Sequence, residues 1–62
     1  MKLIDFLEVA DDDVIIEDDE WIIKINRASL GDETNIFKDD FLNKFVYKVQ
    51  SEDNCLRVLL EL

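Results

Sequence analysis

Residues 11–25 have the sequence DDDVIIEDDEWIIKI, and this stretch decides the fold. Its two apolar runs are rich in Val, Ile and Trp, which favour strands, whereas the Asp residues around them favour turns. We therefore predict two strands, at residues 14–17 and 21–27, joined through Asp18 and Asp19 into an antiparallel hairpin.

The length of that turn sets which side chains of the hairpin lie together. A two-residue turn pairs Ile16 with Trp21. It also pairs Val14 with Ile23, so that one face of the hairpin is apolar. The same register places two glutamates directly opposite each other at the tip, a like-charge contact that a wider, four-residue loop would relieve.

A second hairpin is predicted at the end of the sequence, with its turn at Asp53 and Asn54. This register collects six apolar side chains on one face, whereas a slip of one residue would scatter them over both faces. The predicted pairs are Val49 with Val58, Tyr47 with Leu60, and Phe45 with Leu62.

Two short helices complete the predicted fold. Apolar residues at positions 3, 6, 7 and 10 have helical spacing, and Phe37 and Phe41 indicate a second helix over residues 36–43. Residues 28–35 are polar, contain Gly31 and are expected to form a loop. The fold class is therefore α+β: a single domain over residues 1–62 with the order α-β-β-α-β-β, in which two antiparallel hairpins form one sheet with two short helices.

Composition narrows the function. The 62 residues include 16 Asp and Glu but only 7 Lys and Arg, for a net charge of −9. The few basic residues are scattered, so direct nucleic-acid binding is not expected. A chain this short has a small core and gains stability by association, so we expect a homo-oligomer. Cys55 is a single cysteine, and Asp5 and Glu8 interrupt the first apolar stretch. These features predict a cytoplasmic protein without a signal peptide or membrane span.

The acidic residues around the first predicted strand are the candidate site. They form two clusters, one at each end of a short strand, roughly 15 Å apart at about 3.3 Å per residue. Such a rigid array is predicted to bind a basic protein surface, with a nucleic-acid-processing enzyme as the natural example, because it imitates backbone phosphates. The alternative is a solvated edge that prevents aggregation of the sheet. The predicted partner-binding residues are Asp11, Asp12, Asp13, Glu17, Asp18, Asp19, Glu20 and Trp21.

Motifs for catalysis and cofactors fail on inspection of their spacing. A calcium loop needs an oxygen donor at position 15, which is Ile, and a restriction-type nuclease needs a carboxylate two residues before Lys24, where the residue is Ile22. The sequence has no His and one Gly, so it contains neither a His-based nucleophile pair nor a phosphate-binding loop. No catalytic residue, metal ligand or cofactor is predicted, which favours a binding protein over an enzyme. Two alternatives stay open: an oligomer that uses its carboxylates in metal-assisted DNA nicking or DNA topology, and a small structural accessory protein.

A second surface is predicted on the reverse side of the sheet, opposite the main core. Two short helices cover only one side of a sheet, so these apolar residues need another cover. A sheet-to-sheet interface between copies would supply it, and the loop at residues 28–30 is the alternative. The predicted oligomer-interface residues are Ile15, Ile22, Val46 and Leu59.

Residues 3–8 (LIDFLE), residues 12–16 (DDVII) and the hairpin around Asp53 and Asn54 resemble short proteins of phages and mobile elements of gut Firmicutes, among them an anti-CRISPR family with a PC4-like sheet. Members of that family are oligomeric and are associated with nicking or relaxing plasmid DNA. The resemblance implies an inhibitor of host defence that occludes the basic channel of a nucleic-acid-processing enzyme.

Overall fold

The computed structural model describes residues 1–61 and confirms the predicted α+β domain with its order α-β-β-α-β-β. The elements are the helix α1 (Leu3–Val9), the strands β1 (Asp13–Glu17) and β2 (Ile22–Ile25), a 3₁₀ turn (Arg27–Ser29), the helices α2 (Glu33–Ile36) and α3 (Asp39–Leu42), and the strands β3 (Val46–Glu52) and β4 (Cys55–Leu60).

The two hairpins lie side by side in one four-stranded sheet of order β2-β1-β4-β3. Each hairpin is antiparallel, and the hairpins join through a parallel pairing of β1 with β4. These two strands are central, so they supply the most deeply buried sheet residues, Val14, Ile16 and Val58. The segment from β2 to β3, which carries α2 and α3, is the crossover that a parallel arrangement requires.

The first hairpin has the wider, four-residue loop, Asp18–Trp21, and not the two-residue turn. Ile16 pairs with Ile23, two residues beyond the predicted partner, so the predicted pairing with Trp21 is wrong. The longer loop is closed by the Asp18 backbone N–H, which donates to the Trp21 carbonyl at 3.0 Å. Because side chains alternate with a period of two, a shift of two residues keeps the same apolar face towards the core.

The second hairpin turns at Asp53 and Asn54, as predicted. Asn54 has φ +58°, a left-handed conformation that Asn tolerates better than most residues. The predicted pairing of Val49 with Val58 is also confirmed.

A β-bulge changes the first half of β3. The register shifts between Val46 and Lys48, so that Val46 pairs with Leu60 and Tyr47 has no partner of its own. The predicted pairing of Tyr47 with Leu60 is therefore wrong. The bulge turns Val46 towards the core, against which it packs, so its predicted place on the reverse face is wrong as well. The predicted partner of Phe45, Leu62, lies outside the described residues.

The second predicted helix, at residues 36–43, is divided into α2 and α3. Phe37 (φ −117°, ψ 152°) and Lys38 (φ −74°, ψ 156°) are both extended and interrupt the helical turns. The rings of Phe37 and Phe41 nevertheless pack together, with their centroids 5.0 Å apart. Phe37, which follows α2, and Phe41 of α3 thus lie on the same side of the molecule, packed against the core.

The helices α1 and α3 pack against one face of the sheet, where the core lies, and α2 packs against α3. The predicted apolar stripe of α1 is confirmed, since its three largest members are buried. α1 is tied to the sheet by its flanking backbone: the Leu3 N–H donates to the Lys44 carbonyl, and the Val46 N–H donates to the Met1 carbonyl. The core residues are Leu3, Phe6, Leu7, Val14, Ile16, Ile25, Leu42, Val58 and Leu60.

The loop between the 3₁₀ turn and α2 lies on the helix side as well. Leu30 packs against the core, which removes residues 28–30 as a cover for the reverse face of the sheet. The next residue, Gly31, has φ +105°, and its N–H donates to the buried carboxylate of Glu33 at 2.7 Å. One face of the sheet is therefore covered and the other has no element against it among residues 1–61.

Candidate functional site

The loop Asp18–Trp21, the acidic hairpin tip, stands at the end of the sheet beside α3. This loop contains no Gly, and it is closed by hydrogen bonds that Asp18 makes with other residues of the loop. The Asp18 backbone N–H donates to the Trp21 carbonyl, and the Asp18 side-chain oxygen accepts a long hydrogen bond of 3.4 Å from the Glu20 N–H. A short Asp side chain commonly stabilises such a turn in this way.

Asp18 does not face a partner, because it is bound within the molecule. Its carboxylate accepts a hydrogen bond from Lys44 Nζ at 2.6 Å, and the Asp18 side chain is only 6% exposed. Lys44 lies 5.7 Å from the centroid of the Phe41 ring, at the end of α3. The ion pair therefore ties the hairpin tip to the helix layer.

Two neighbouring carboxyl groups at the tip have different proton affinities. Hydrogen bonding with the Asp19 side chain and with the Lys44 ammonium lowers the pKa of Asp18 to about 2. The same contact with Asp18 raises the pKa of Asp19 above its ordinary value. On acidification Asp19 therefore takes up a proton before Asp18, which remains a carboxylate opposite Lys44.

The remaining residues of the tip face solvent. Asp19 and Glu20 are exposed, and Trp21 is 62% exposed rather than packed in the core. A shallow cleft of about 340 Å³ lies between this tip and α3, and Asp40 lines it together with Phe41 and the already paired Lys44. Three carboxylates and an indole thus share one surface.

Asp40 is the member of this surface that sequence reasoning missed. It is 20 residues from Glu20 along the chain, and only the packing of α3 beside the hairpin brings the two together. The pair Asp39-Asp40 lay inside the predicted helix of residues 36–43, and it was the available signal that a helix begins at residue 39, since acidic residues favour the first helical turn.

The other predicted cluster, at the start of β1, is only partly available. Asp11 and Asp12 are exposed. Asp13 is half-buried, and its carboxylate accepts the Arg27 backbone N–H at 2.6 Å, which joins the start of β1 to the 3₁₀ turn. The two exposed clusters lie beyond opposite ends of β1, which spans about 13 Å at about 3.3 Å per residue.

Glu17, predicted as part of the partner surface, lies on the face of the sheet that is turned away from the helices. Arg57 Nη1 is 3.1 Å from its carboxylate, and Arg57 Nε is 3.0 Å from that of Glu52. These contacts raise the pKa of Arg57, first through the hydrogen bond to Glu52. The predicted set of eight therefore divides into three residues with internal contacts and five that face solvent: Asp11, Asp12, Asp19, Glu20 and Trp21.

The chemistry of this surface is that of charge and one aromatic ring. Within residues 1–61, no three His, Cys, Asp or Glu side chains converge in a way that could hold a metal ion. None of the helices in the same range is long and apolar enough to cross a membrane. Comparisons with protein-family models, curated protein sequences and solved structures give no match. The fold and the site define a small α+β domain with a one-sided sheet and an acidic hairpin tip.

Proposed function

We propose that this chain is a non-enzymatic binding protein that engages a basic surface of another protein through its acidic hairpin. The observation that carries the proposal is the exposed Trp21, which lies among the carboxylates of Asp19, Glu20 and Asp40. Lys44, the cation that lines this surface, is already paired with Asp18. The surface therefore offers negative charge and an apolar anchor to a partner.

Each component has a separate physical role. Exposed carboxylates attract a basic partner over a distance and raise the association rate, an effect that salt weakens. A Trp that becomes buried in the complex supplies much of the affinity, as Trp residues at interface centres commonly do. Asp18 acts indirectly, because its bond to Lys44 holds the tip in place.

The finer proposal is an inhibitor from a phage or mobile element that acts in the cytoplasm on a nucleic-acid-processing enzyme, as the sequence resemblance implies. Its support is the spacing of the exposed charges: two acidic clusters lie beyond opposite ends of one rigid strand that is itself about 13 Å long. A basic channel that accepts a nucleic-acid backbone presents complementary charges over such a distance. In this interpretation the hairpin occupies the channel in place of the substrate.

An inhibition assay tests the proposal. A panel of purified, guide-loaded CRISPR nucleases would be incubated with the chain, and cleavage of target DNA would be measured. We expect inhibition of at least one member, and Trp21→Ala is expected to weaken it by about 30-fold, the effect of losing a typical interface anchor. Phe45→Ala, which removes another exposed aromatic ring away from the tip, is the matched control and should change inhibition by less than about threefold.

Two results would contradict the proposal at different levels. If no nuclease were inhibited, the identity of the target would be wrong, while binding to basic surfaces would be tested separately by titration with poly-L-arginine. If inhibition occurred but the tryptophan and phenylalanine variants behaved alike, the hairpin tip would not be the binding surface.

A further inference from the structure

The face of the sheet turned away from the helices, the open face, carries four apolar side chains among its charged ones. Ile15 and Leu59 are half-buried on the central strands, and Ile22 and Tyr47 are about 70% exposed on the edge strands. Exposed large apolar residues that cluster on one face commonly mark an interaction surface.

The open face is also electrically unlike the rest of the molecule. Its charged strand residues number three acidic and three basic, which leaves 13 acidic and 4 basic residues for the rest of the chain. The open face therefore does not attract a basic partner electrostatically. A surface with equal numbers of positive and negative charges can instead be complementary to a second copy of itself. The charged residues are Asp13, Glu17, Glu52, Lys24, Lys48 and Arg57.

Two exposed apolar side chains stand at opposite edges of the open face. The strand register aligns Ile22, Glu17 and Leu59 in one row across β2, β1 and β4. At one end of this row Ile22 projects from the edge strand. At the other end, on β3, Lys48 completes the row, and the neighbouring Tyr47 stands out from the bulge with 71% of its surface exposed. A rotation that exchanges the two edges of the sheet therefore brings Ile22 and Tyr47 of different copies together.

We propose that the open face binds a second copy of this chain, with the two sheets packed face to face. A two-fold axis parallel to the strands, between β1 and β4, places β2 of each copy over β3 of the other. Ile22 of each copy then meets Tyr47 of the other, and the two-fold axis makes this contact twice. The Glu17–Arg57 ion pairs of the two copies form a cluster of alternating charges beside the axis.

This arrangement keeps the acidic hairpin tips out of the interface. Rotation about an axis parallel to the strands leaves both tips at the same end of the dimer, on its outer sides. A four-stranded sheet is about 19 Å wide at about 4.8 Å per strand. The tips are thus separated by more than the Debye length of about 8 Å at physiological ionic strength, so their repulsion is largely screened.

The size of the open face sets the expected strength of the dimer. Four strands of about five residues cover a flat area of roughly 350 Å² per copy. A standard stable interface buries about 800 Å² per partner, so this one belongs to the weak class. We expect a dissociation constant on the order of 10–100 µM, and a smaller one in about 0.15 M salt than at low salt because each copy has a net charge of −9.

Sedimentation equilibrium of the full chain at about 0.5 mM, well above that dissociation constant, tests the inference. The wild type is expected at twice its chain mass of 7.3 kDa, and Ile22→Lys at the mass of one chain. Val9→Lys is the matched control, because Val9 on α1 is 72% exposed against 69% for Ile22 and the added charge is the same. This control should remain a dimer.

Circular dichroism would first establish that both lysine variants are folded, as expected for substitutions at exposed positions. A monomeric wild type at this concentration would overturn the inference. A dimer that survives Ile22→Lys would overturn the open face as the interface and would indicate pairing of strand edges instead. Equal dissociation by both lysine variants would show that added charge on any surface has the same effect, and would also overturn it.

Discussion

The substitution of Ile by Val at two positions of the first hairpin tests the one-sided sheet on which both proposed surfaces depend. Ile16 in β1 is fully buried between Ile23 and Val58, whereas Ile22 at the start of β2 is 69% exposed. Ile16→Val removes one methylene from the packed side, which typically costs about 0.5–1.5 kcal/mol. Ile22→Val removes the same group from a side chain that is mostly in water, where effects usually stay within about 0.5 kcal/mol.

These losses are large enough to measure in a domain of this size. A change of 1 kcal/mol shifts the melting temperature of a 60–100-residue domain by roughly 4–8 °C. Thermal and urea unfolding would be followed by circular dichroism at about 5 µM, below the expected dissociation constant of the dimer, so that the open face is free. We expect Ile16→Val to lower the melting temperature by about 2–12 °C and Ile22→Val by less than about 4 °C. Equal losses at the two positions would refute the assignment of the two faces.

Two further predictions concern the hairpin tip and the second turn. The pKa of Asp18 is about 2 in the folded chain, against an ordinary value of 3.8. Between these two pH values the unfolded chain binds more protons than the folded chain. The stabilisation that Asp18 contributes above pH 3.8 is therefore lost as the pH falls through 2. The raised pKa of Asp19 acts in the opposite direction and offsets part of this loss. Melting temperatures measured from pH 5 to pH 2 should therefore fall in the wild type, and they should fall less in Lys44→Met, which lacks the ammonium that pairs with Asp18. At the second turn, Asn54→Ala should reduce the free energy of unfolding by about 1 kcal/mol because φ is +58°, whereas Asn54→Gly should be near neutral. Urea unfolding measures both variants, and a larger loss for Asn54→Gly than for Asn54→Ala would contradict this reason.

The fold class and the element order could be predicted because alternation of apolar and polar residues is a local property. The turn at Asp53 and Asn54 could be predicted for a similar reason, since few residues suit a left-handed position. The bulge at Tyr47 could not be predicted from the sequence. It depends on the pairing of β3 with β4 while the backbone around Phe45 also pairs with the start of the chain, as the bridge between Lys2 and Phe45 shows. Competition between two non-local pairings leaves no pattern in one segment.

The candidate site was predictable in its charge and not in its contacts. Composition identifies the acidic stretch, and the exposed part of it is the predicted surface. Whether a given carboxylate is paired within the molecule depends on basic residues that are distant in the sequence. Lys44 is 26 residues from Asp18, and Arg57 approaches Glu17 only because β4 lies beside β1. The exposure of Trp21 has a similar origin, since the four-residue loop removes it from the position opposite Ile16.

The central claim, that the acidic hairpin tip is the binding surface, is tested most directly by titration with a poly-L-arginine peptide, followed through the fluorescence of Trp21. Asp19→Asn/Glu20→Gln removes two charges from the tip, and Asp5→Asn/Glu8→Gln removes the same two types of charge from exposed positions on α1. Both double variants have a net charge of −7, compared with −9 for the wild type.

If the tip is the binding surface, the first variant should bind the peptide at least about tenfold more weakly, and the second should remain within about threefold of the wild type. Equal weakening in the two variants would show that net charge alone governs binding and would contradict the claim, as would unchanged affinity in both.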